Sequence, residues 1–278
     1  MDIAVVGLGL IGGSLARSTK SRTSHRVFAC DLDGDTMMMA RLTGAIDGEL
    51  TEEALAACDL VLLAIRPKAA IEWVEKHAPL IHEDAIVVDM CGVKREISGR
   101  LKDVAREHGF LYIGGHPMAG KERGGYINSS EDLFEGASMI FTPDEHTDMW
   151  LLERIKDYFT DIGFSNATFA TPEEHDRIIA FTSQLAHVLS SSYIKSPTAQ
   201  EHRGFSAGSF QDLSRVALLD EDMWTELFLA NSDNLVGEID TVLTHLQEYR
   251  AALGEKDADR LRALLKDGRE RKASAGGY

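Results

Sequence analysis

A chain of 278 residues with 44% hydrophobic content can bury a substantial core, and its length favours two domains over one. Its 29 Lys and Arg stand against 45 Asp and Glu, a net charge of -16 with no basic stripe able to track a phosphate backbone, so nucleic acid is excluded as a partner. No apolar run approaches the ~18 residues that a membrane span needs, so no membrane association is expected, and any anionic ligand must be held by a few local cations or helix N-termini.

The chain opens with a short β-rich run over residues 2–6, followed by GLGLIGGSLARS, in which Gly7, Gly9 and Gly12 match G-x-G-x-x-G. A strand precedes the pattern, Leu10 and Ile11 open a helix within it, and a second strand, RVFACD, ends in Asp31, 24 positions after Gly7. This is the context of a dinucleotide-binding turn. Gly7 allows the tight turn, Gly9 lets the backbone approach a pyrophosphate, and Gly12 lets helix and strand pack closely. Asp31 is placed to accept from ribose hydroxyls, and with Asp33 nearby a 2′-phosphate is repelled, which selects NAD over NADP.

Strand-like runs then alternate with helical patterns: 59–65, a helix to about residue 82, 85–90, a helix over 94–108, and 110–115. That rhythm predicts a mostly parallel α/β Rossmann sheet, completed by an edge strand at 137–142 and a helix at 145–162, so that residues 1–168 form an NAD-binding domain. In such sheets ligands sit beyond the carboxyl ends of strands. Cys91 and Gly92 follow one strand and His116 follows another, which places all three on the rim beside the expected nicotinamide.

From residue 169 strand signals fade and an all-α domain, 169–278, is predicted. Thr171, Pro172 and Glu174 spell a capping box with proline at the first helical position. On the helix that follows, Asp176, Ser183 and His187 lie seven and four residues apart and predict a polar seam on one face. Residues 221–252 read as one long helix ended by Gly254, with Trp224, Leu227, Leu235 and Leu246 on an apolar stripe too long for one small domain to cover. A homodimer through these C-terminal helices is expected. A further helix begins after Lys256, and the last residues, KASAGGY, read as a disordered tail. Three cysteines, Cys30, Cys58 and Cys91, without paired spacing and without a cationic leader indicate a reducing, cytoplasmic setting, and no C-x-x-C or H-E-x-x-H supports a metal site.

Taken in order, GLGLIGGS, DLVLLA, D-x-x-G-V-K at 89–94, HPMAGxE at 116–122, DLFEGA at 132–137, EEHDR with SQLAH at 173–187, and F-x-D-x-x-R with MW at 210–224 resemble the prephenate dehydrogenase family of tyrosine biosynthesis. The resemblance implies a Rossmann domain joined to an all-helical dimerisation domain, with the active site between them and NAD as cofactor. It implies oxidative decarboxylation of prephenate, with His116 as catalytic base and Arg215 gripping the ring carboxylate. It further implies that His187 meets the substrate's side-chain end, that Ser183 lies near its hydroxyl region, and that Glu122 orders Arg215 or gates entry. Trp224 is placed to wall the pocket. The chain departs from the family pattern at Gly92, where a serine usually bonds near the histidine, so that Cys91, a water or another side chain must orient His116. It departs also at Gln211, where a basic residue is frequent, and at Ala186, where proline is usual. Arogenate dehydrogenase and a catalytically weak dinucleotide sensor are the competing readings. A 3-hydroxyacid dehydrogenase lacks support because no G-x-x-x-K-x-x-N motif occurs.

Overall fold

A computed structural model describes residues 1–145 and 147–276. In the first half, β1 (Asp2–Val6), α1 (Leu10–Arg22), β2 (Arg26–Cys30), α2 (Gly34–Leu42), β3 (Gly48–Glu49), α3 (Glu52–Ala56) and β4 (Leu60–Leu63) follow one another. They continue into α4 (Pro67–His77), β5 (Ile86–Asp89), α5 (Arg95–His108), β6 (Leu111–Pro117), β7 (Ser138–Thr142), α6 (Met149–Asp161) and β8 (Asn166–Phe169). The sheet order is β3-β2-β1-β4-β5-β6-β7-β8, parallel throughout except for the antiparallel pair β6 and β7. The first six positions are the Rossmann order, whose strand sequence reverses direction beside β1.

The apolar runs become central strands because both faces are covered. All four residues of β4 and of β5 are buried. Val5, Leu62 and Val88 point into one core with α1 and α6, while Ala4, Val61 and Val87 point into the other with α4 and α5. Register pairs Val6 with Leu63, Leu63 with Asp89 and Asp89 with Gly114, so these strands end level with one another and their following loops share one edge.

Two strands escape the sequence reading. β3 is only two residues long, and β8 is an edge strand with no residue fully buried, so neither carries an apolar run. The sheet thus extends one strand past β7, and α6 begins at Met149 rather than at 145.

The helical half comprises α7 (Pro172–Ile179), a π-helical stretch (Ala180–Leu185), α8 (Ala186–Ile194), α9 (Gly208–Ser214), α10 (Glu221–Ala230), α11 (Ser232–Glu255) and α12 (Ala258–Ala275). Thr171 Oγ1 accepts from the Glu174 amide at 3.1 Å with Pro172 in the first turn, as the capping box requires. The expected polar seam is corrected by the π-helical stretch. Its extra residue turns the chain after Ile179, so Asp176 leaves the face of Ser183 and His187 and is fully buried.

The expected single helix over 221–252 is two helices broken at Asn231, whose backbone leaves helical values at φ -128° and ψ 27°. The side chain explains the break. Asn231 Nδ2 donates to the Asp176 carbonyl and to Gln184 Oε1, both at 2.8 Å, and Oδ1 accepts from Arg95 at 3.0 Å and from Asn234 at 2.8 Å. Gly254 does not end α11; Lys256, at φ 54°, does. The segment Lys272–Ala275, expected to be disordered, is helical within α12, while Gly277 and Tyr278 lie outside the described residues. Only Leu235 and Ala252 of α11 are buried, and Leu243, Leu246 and Leu253 are about half exposed or more, so the stripe has little cover from its own chain.

Replacing Asn231 with Ala strands the Asp176 carbonyl and Gln184 Oε1 in the interior, at an expected cost of about 2–3 kcal/mol. Thermal unfolding checks this: the midpoint of Asn231→Ala should fall by several degrees, and an unchanged midpoint contradicts the network.

Candidate active site between the two domains

The glycine turn lies at the carboxyl end of β1. Gly7 adopts φ +85°, and a Cβ there would stand 2.4 Å from Ile65 Cγ2. A Cβ on Gly12 would stand 1.8 Å from the Gly7 carbonyl oxygen, so helix α1 can approach the turn only with hydrogen at that position. Gly9, by contrast, faces open space and is the N-cap of α1, with no side chain bonded to the helix start and no acidic residue in its first turn. Leu10 and Ile11 begin that turn, leaving its amides directed at an unfilled approach suited to an anion. Asp31 closes the turn from β2: Oδ2 accepts from the Leu8 amide at 2.6 Å and Oδ1 from the Asp33 amide at 2.9 Å. Asp33 caps α2, and its bonds from Thr36 and the Asp35 amide hold its carboxyl below the usual range. Beside Asp31 a cavity of about 500 Å³ is lined by Leu32, Met37, Met38 and Arg41, the last paired to Glu49 at 2.8 Å.

The next two loops along the edge are tied down from below. Asp89, at the end of β5, is fully buried and is paired with the equally buried ammonium of Lys94. It also accepts from Tyr112 Oη at 2.7 Å and from the Cys91 amide at 2.9 Å. A buried carboxylate survives in the interior only with such a set of donors. Cys91 turns inward, its thiol donating to the Ile65 carbonyl at 3.4 Å, and burial pushes its pKa well up. Its share in any site is therefore its backbone. Gly92 faces the helical domain: a Cβ there would lie 3.6 Å from the Leu227 side chain and 3.9 Å from His116 Nε2.

His116 extends β6 past the end of β5, paired with Ile140 of β7. Its Nδ1 is 2.9 Å from Nε2 of His175 on α7, and His175 Nδ1 is 2.7 Å from Asp176 Oδ1. His175 is thus the side chain that contacts the Nδ1 end of His116; Cys91 is not. Asp176 also receives the Lys94 amide at 2.8 Å, the Arg95 amide at 3.0 Å and Arg95 Nε at 3.3 Å, which makes it a cap for α5 supplied from the other domain. Burial lowers the His116 pKa well below the ordinary imidazole value, and the neighbouring His175 and Lys94 push the same way. Burial also lowers that of His175, although Asp176 opposes it.

Across the rim, the remaining sequence-derived residues form two small groups. Glu122 of the loop after His116 accepts from Arg215, just beyond α9, at 3.1 Å, and both are largely exposed. The carboxyl of Glu122 sits below its usual range through its own backbone amide and Arg215. His187 packs against Trp224 with ring centroids 4.0 Å apart and the planes tilted by 33°, and its Nδ1 meets the Ser183 carbonyl at 2.8 Å. Burial lowers the His187 pKa and Arg215 lowers it further, against the Ser183 bond. Two contacts hold α10 to the sheet edge, Arg66 to Asp220 at 3.3 Å and the Lys68 amide to Glu226 at 2.9 Å. Gln211 and Ala186 are exposed, and the Gln211 carbonyl accepts from the Arg215 amide at 2.9 Å.

His175, Lys94 and Asn231 belong to this arrangement without having been singled out by the sequence, and Leu227, which the sequence places on the apolar stripe, belongs to it too. A His-Asp pair directly after a capped helix start was the available sign of His175, and the five-residue spacing of Asp89 and Lys94 that of the buried ion pair. The periodicity that marks Leu227 as apolar says nothing of its contact with Gly92.

Comparison with known proteins gives the following similarities. Residues 15–166 match the family model described as prephenate dehydrogenase, nucleotide-binding domain, and residues 171–267 that described as prephenate dehydrogenase, dimerization domain. The chain is 30% identical over 275 residues to a cyclohexadienyl dehydrogenase of Zymomonas mobilis, covering 95% of this chain and 92% of that one. It is 27% identical to a prephenate dehydrogenase of Bacillus subtilis, covering 96% and 74%. The crystal structure of prephenate dehydrogenase from Aquifex aeolicus, in complex with hydroxyphenyl propionate and NAD+, superposes with a TM-score of 0.87 at 26% identity, covering 99% and 98%. Synechocystis arogenate dehydrogenase gives 0.81 at 25% identity, covering 99% and 100%.

With its pKa lowered, His116 remains uncharged through neutral pH and takes a proton only as pH drops below the ordinary value of 6.5. A proton NMR titration of the imidazole, assigned by its absence in His116→Asn, should give a midpoint below 6.5; a midpoint at or above it contradicts the packing described.

Proposed function

We propose, for a chain that belongs to the prephenate dehydrogenase family, the NAD-dependent oxidative decarboxylation of prephenate to 4-hydroxyphenylpyruvate. The observation that carries this reading is His116, an imidazole at the carboxyl edge of a Rossmann sheet whose burial lowers its pKa, with Nδ1 held by His175 and Nε2 beside Gly92. Family membership makes the protein a dehydrogenase of a cyclohexadienyl substrate; prephenate itself, and the residue roles below, are our reading.

The fit to NAD rests on the open Gly9 position, the uncapped start of α1, and the cavity beside Asp31. When bound, NAD supplies the acceptor for the hydride that leaves C4 of the ring. Asp31 is positioned for the ribose, and its charge together with that of Asp33 disfavours a 2′-phosphate. The backbone of Cys91 and Gly92 would border the nicotinamide end.

His116 Nε2 accepts the proton of the C4 hydroxyl as the C4 oxygen becomes a carbonyl. The bond from C1 to the ring carboxylate then breaks, its electrons enter the ring, and CO2 departs as the ring becomes aromatic. A base poised in this way contributes roughly 10²- to 10⁴-fold to rate. Arg215 holds the ring carboxylate through its guanidinium fork, with Glu122 ordering it from the loop after His116. Ser183 lies toward the hydroxyl region. His187, braced by Trp224, meets the side-chain end of the substrate.

One observation favours a second reading, arogenate. In neutral His187, the Nδ1 proton is directed to the Ser183 carbonyl, which leaves Nε2 as an acceptor that suits an ammonium group. The homodimer is proposed through α10 and α11, on the uncovered apolar stripe and the match to a dimerization domain.

Paired assays of prephenate and arogenate with NAD and NADP, followed by absorbance of the reduced nicotinamide, test the function. We expect NADH from prephenate, and its loss in His116→Asn with NAD binding retained. No turnover of either substrate, with NAD bound, would instead support the sensor. Because the carboxylate held by Arg215 leaves as neutral CO2, its charge wanes along the reaction, so Arg215→Ala should raise KM by a larger factor than it lowers kcat. The opposite split would show that Arg215 acts on the transition state.

A further inference from the structure

The Nε2 edge of His116 looks onto a position with no side chain, Gly92, so the bond that orients this ring must come from its other nitrogen. That nitrogen has one partner, His175 Nε2 at 2.9 Å, and the partner is itself anchored: His175 is 2% exposed, and its Nδ1 is 2.7 Å from a carboxylate oxygen of Asp176, which is fully buried. A carboxylate can only accept, so the proton between His175 and Asp176 sits on His175 Nδ1. In the neutral ring His175 Nε2 then has a lone pair, the proton between the two rings sits on His116 Nδ1, and the lone pair of His116 falls on Nε2.

We propose that His175, backed by Asp176, is a positioning residue that fixes His116 in the Nδ1-protonated form with Nε2 free to accept, and that this chain of three side chains does the orienting that a hydroxyl at position 92 would do. Asp176 cannot swing away, because both amides at the start of α5 and the Arg95 side chain also bond to it, and Asn231 grips its carbonyl. The charged groups around the chain are accounted for on every side. The β5–α5 segment supplies Asp89, Lys94 and Arg95, and the first two are paired with each other. The Tyr112 hydroxyl of β6 donates to Asp89, and the buried thiol of Cys91 is neutral. Arg95 is shared with Asp233 of α11 at 2.5 Å. When His116 accepts a proton on Nε2, its Nδ1–H still points at His175, and the carboxylate one residue further on stabilises the added charge without itself being protonated, the logic of an acid-base-nucleophile triad applied to a dehydrogenase.

The role rests on the proposed chemistry, but its first test does not. Nitrogen-15 spectra of the imidazole side chains of the unmodified protein at pH 8 should place the proton of both His116 and His175 on Nδ1; a His116 proton on Nε2 overturns the proposal whatever the substrate. Kinetics with the preferred cyclohexadienyl substrate supply the second. His175→Leu, which removes the acceptor, should lower kcat about 100-fold while the Kd for NAD changes less than about twofold. His175→Gln, whose Oε1 can accept the same N–H, should recover at least about tenfold of that loss. A packing role would make the polar, buried Gln no better than Leu, and that result, or full activity in His175→Leu, overturns the proposal. Should either His175 variant fail to fold, the nitrogen-15 spectra of the unmodified protein still decide.

Discussion

The carboxylate of Asp176 is the point on which the two domains are built together. It lies out of contact with water, where an ion is tolerated only if donors replace its hydration, and it collects four of them: the Lys94 and Arg95 amides, Arg95 Nε and His175 Nδ1. Two of these donors start a helix of the sheet domain and one belongs to the helical domain. A single buried charge thereby holds the first turn of α5 against α7. Around it the remaining polar groups close up, with Asn231 on its carbonyl and Arg95 reaching on to Asp233. The break between α10 and α11 follows from the same centre, since Asn231 must leave helical geometry to deliver its amide.

A second layer of the same design lies one loop away. Asp89 and Lys94 neutralise each other without solvent, and Tyr112 and the Cys91 amide complete the acceptor's shell. Strand ends, unlike loops tethered only to solvent, are thus fastened at their carboxyl edge, which is where Rossmann sheets meet their ligands. His116 projects from one of these fastened ends. The glycine turn shows the complementary strategy: at Gly7 and Gly12 side chains are excluded by contacts under 3 Å, whereas at Gly9 nothing of the protein stands near.

Much of this was legible in the sequence, because it depends on local pattern. The apolar runs of β1, β4 and β5, the glycine turn, the Thr171 cap and the place of His116 at a strand end all follow from periodicity and composition within a few residues. What escaped depends on contacts between distant segments. β8 has no buried residue to mark it, Asn231 interrupts an otherwise unbroken helical stripe for the sake of Asp176, 55 positions earlier, and the π-helical stretch leaves no signature in residue type. His175 was in plain view beside Asp176, yet an ideal helical wheel put Asp176 with Ser183 and His187 and gave His175 no role. The error and its correction have one cause, the phase of the helix.

That phase has a consequence for how such a protein can change. One extra residue in a helix advances the downstream side chains by about 100°. The rod from Pro172 to Ile194 therefore behaves like a shaft with two cams set at different angles, one bearing His175 and Asp176 toward the sheet and the other bearing His187 toward Trp224. Gaining or losing a single residue between Ala180 and Leu185 would re-aim the second cam and leave the first untouched. Selection can thus reshape the grip on one end of a ligand without retuning the group that removes its proton.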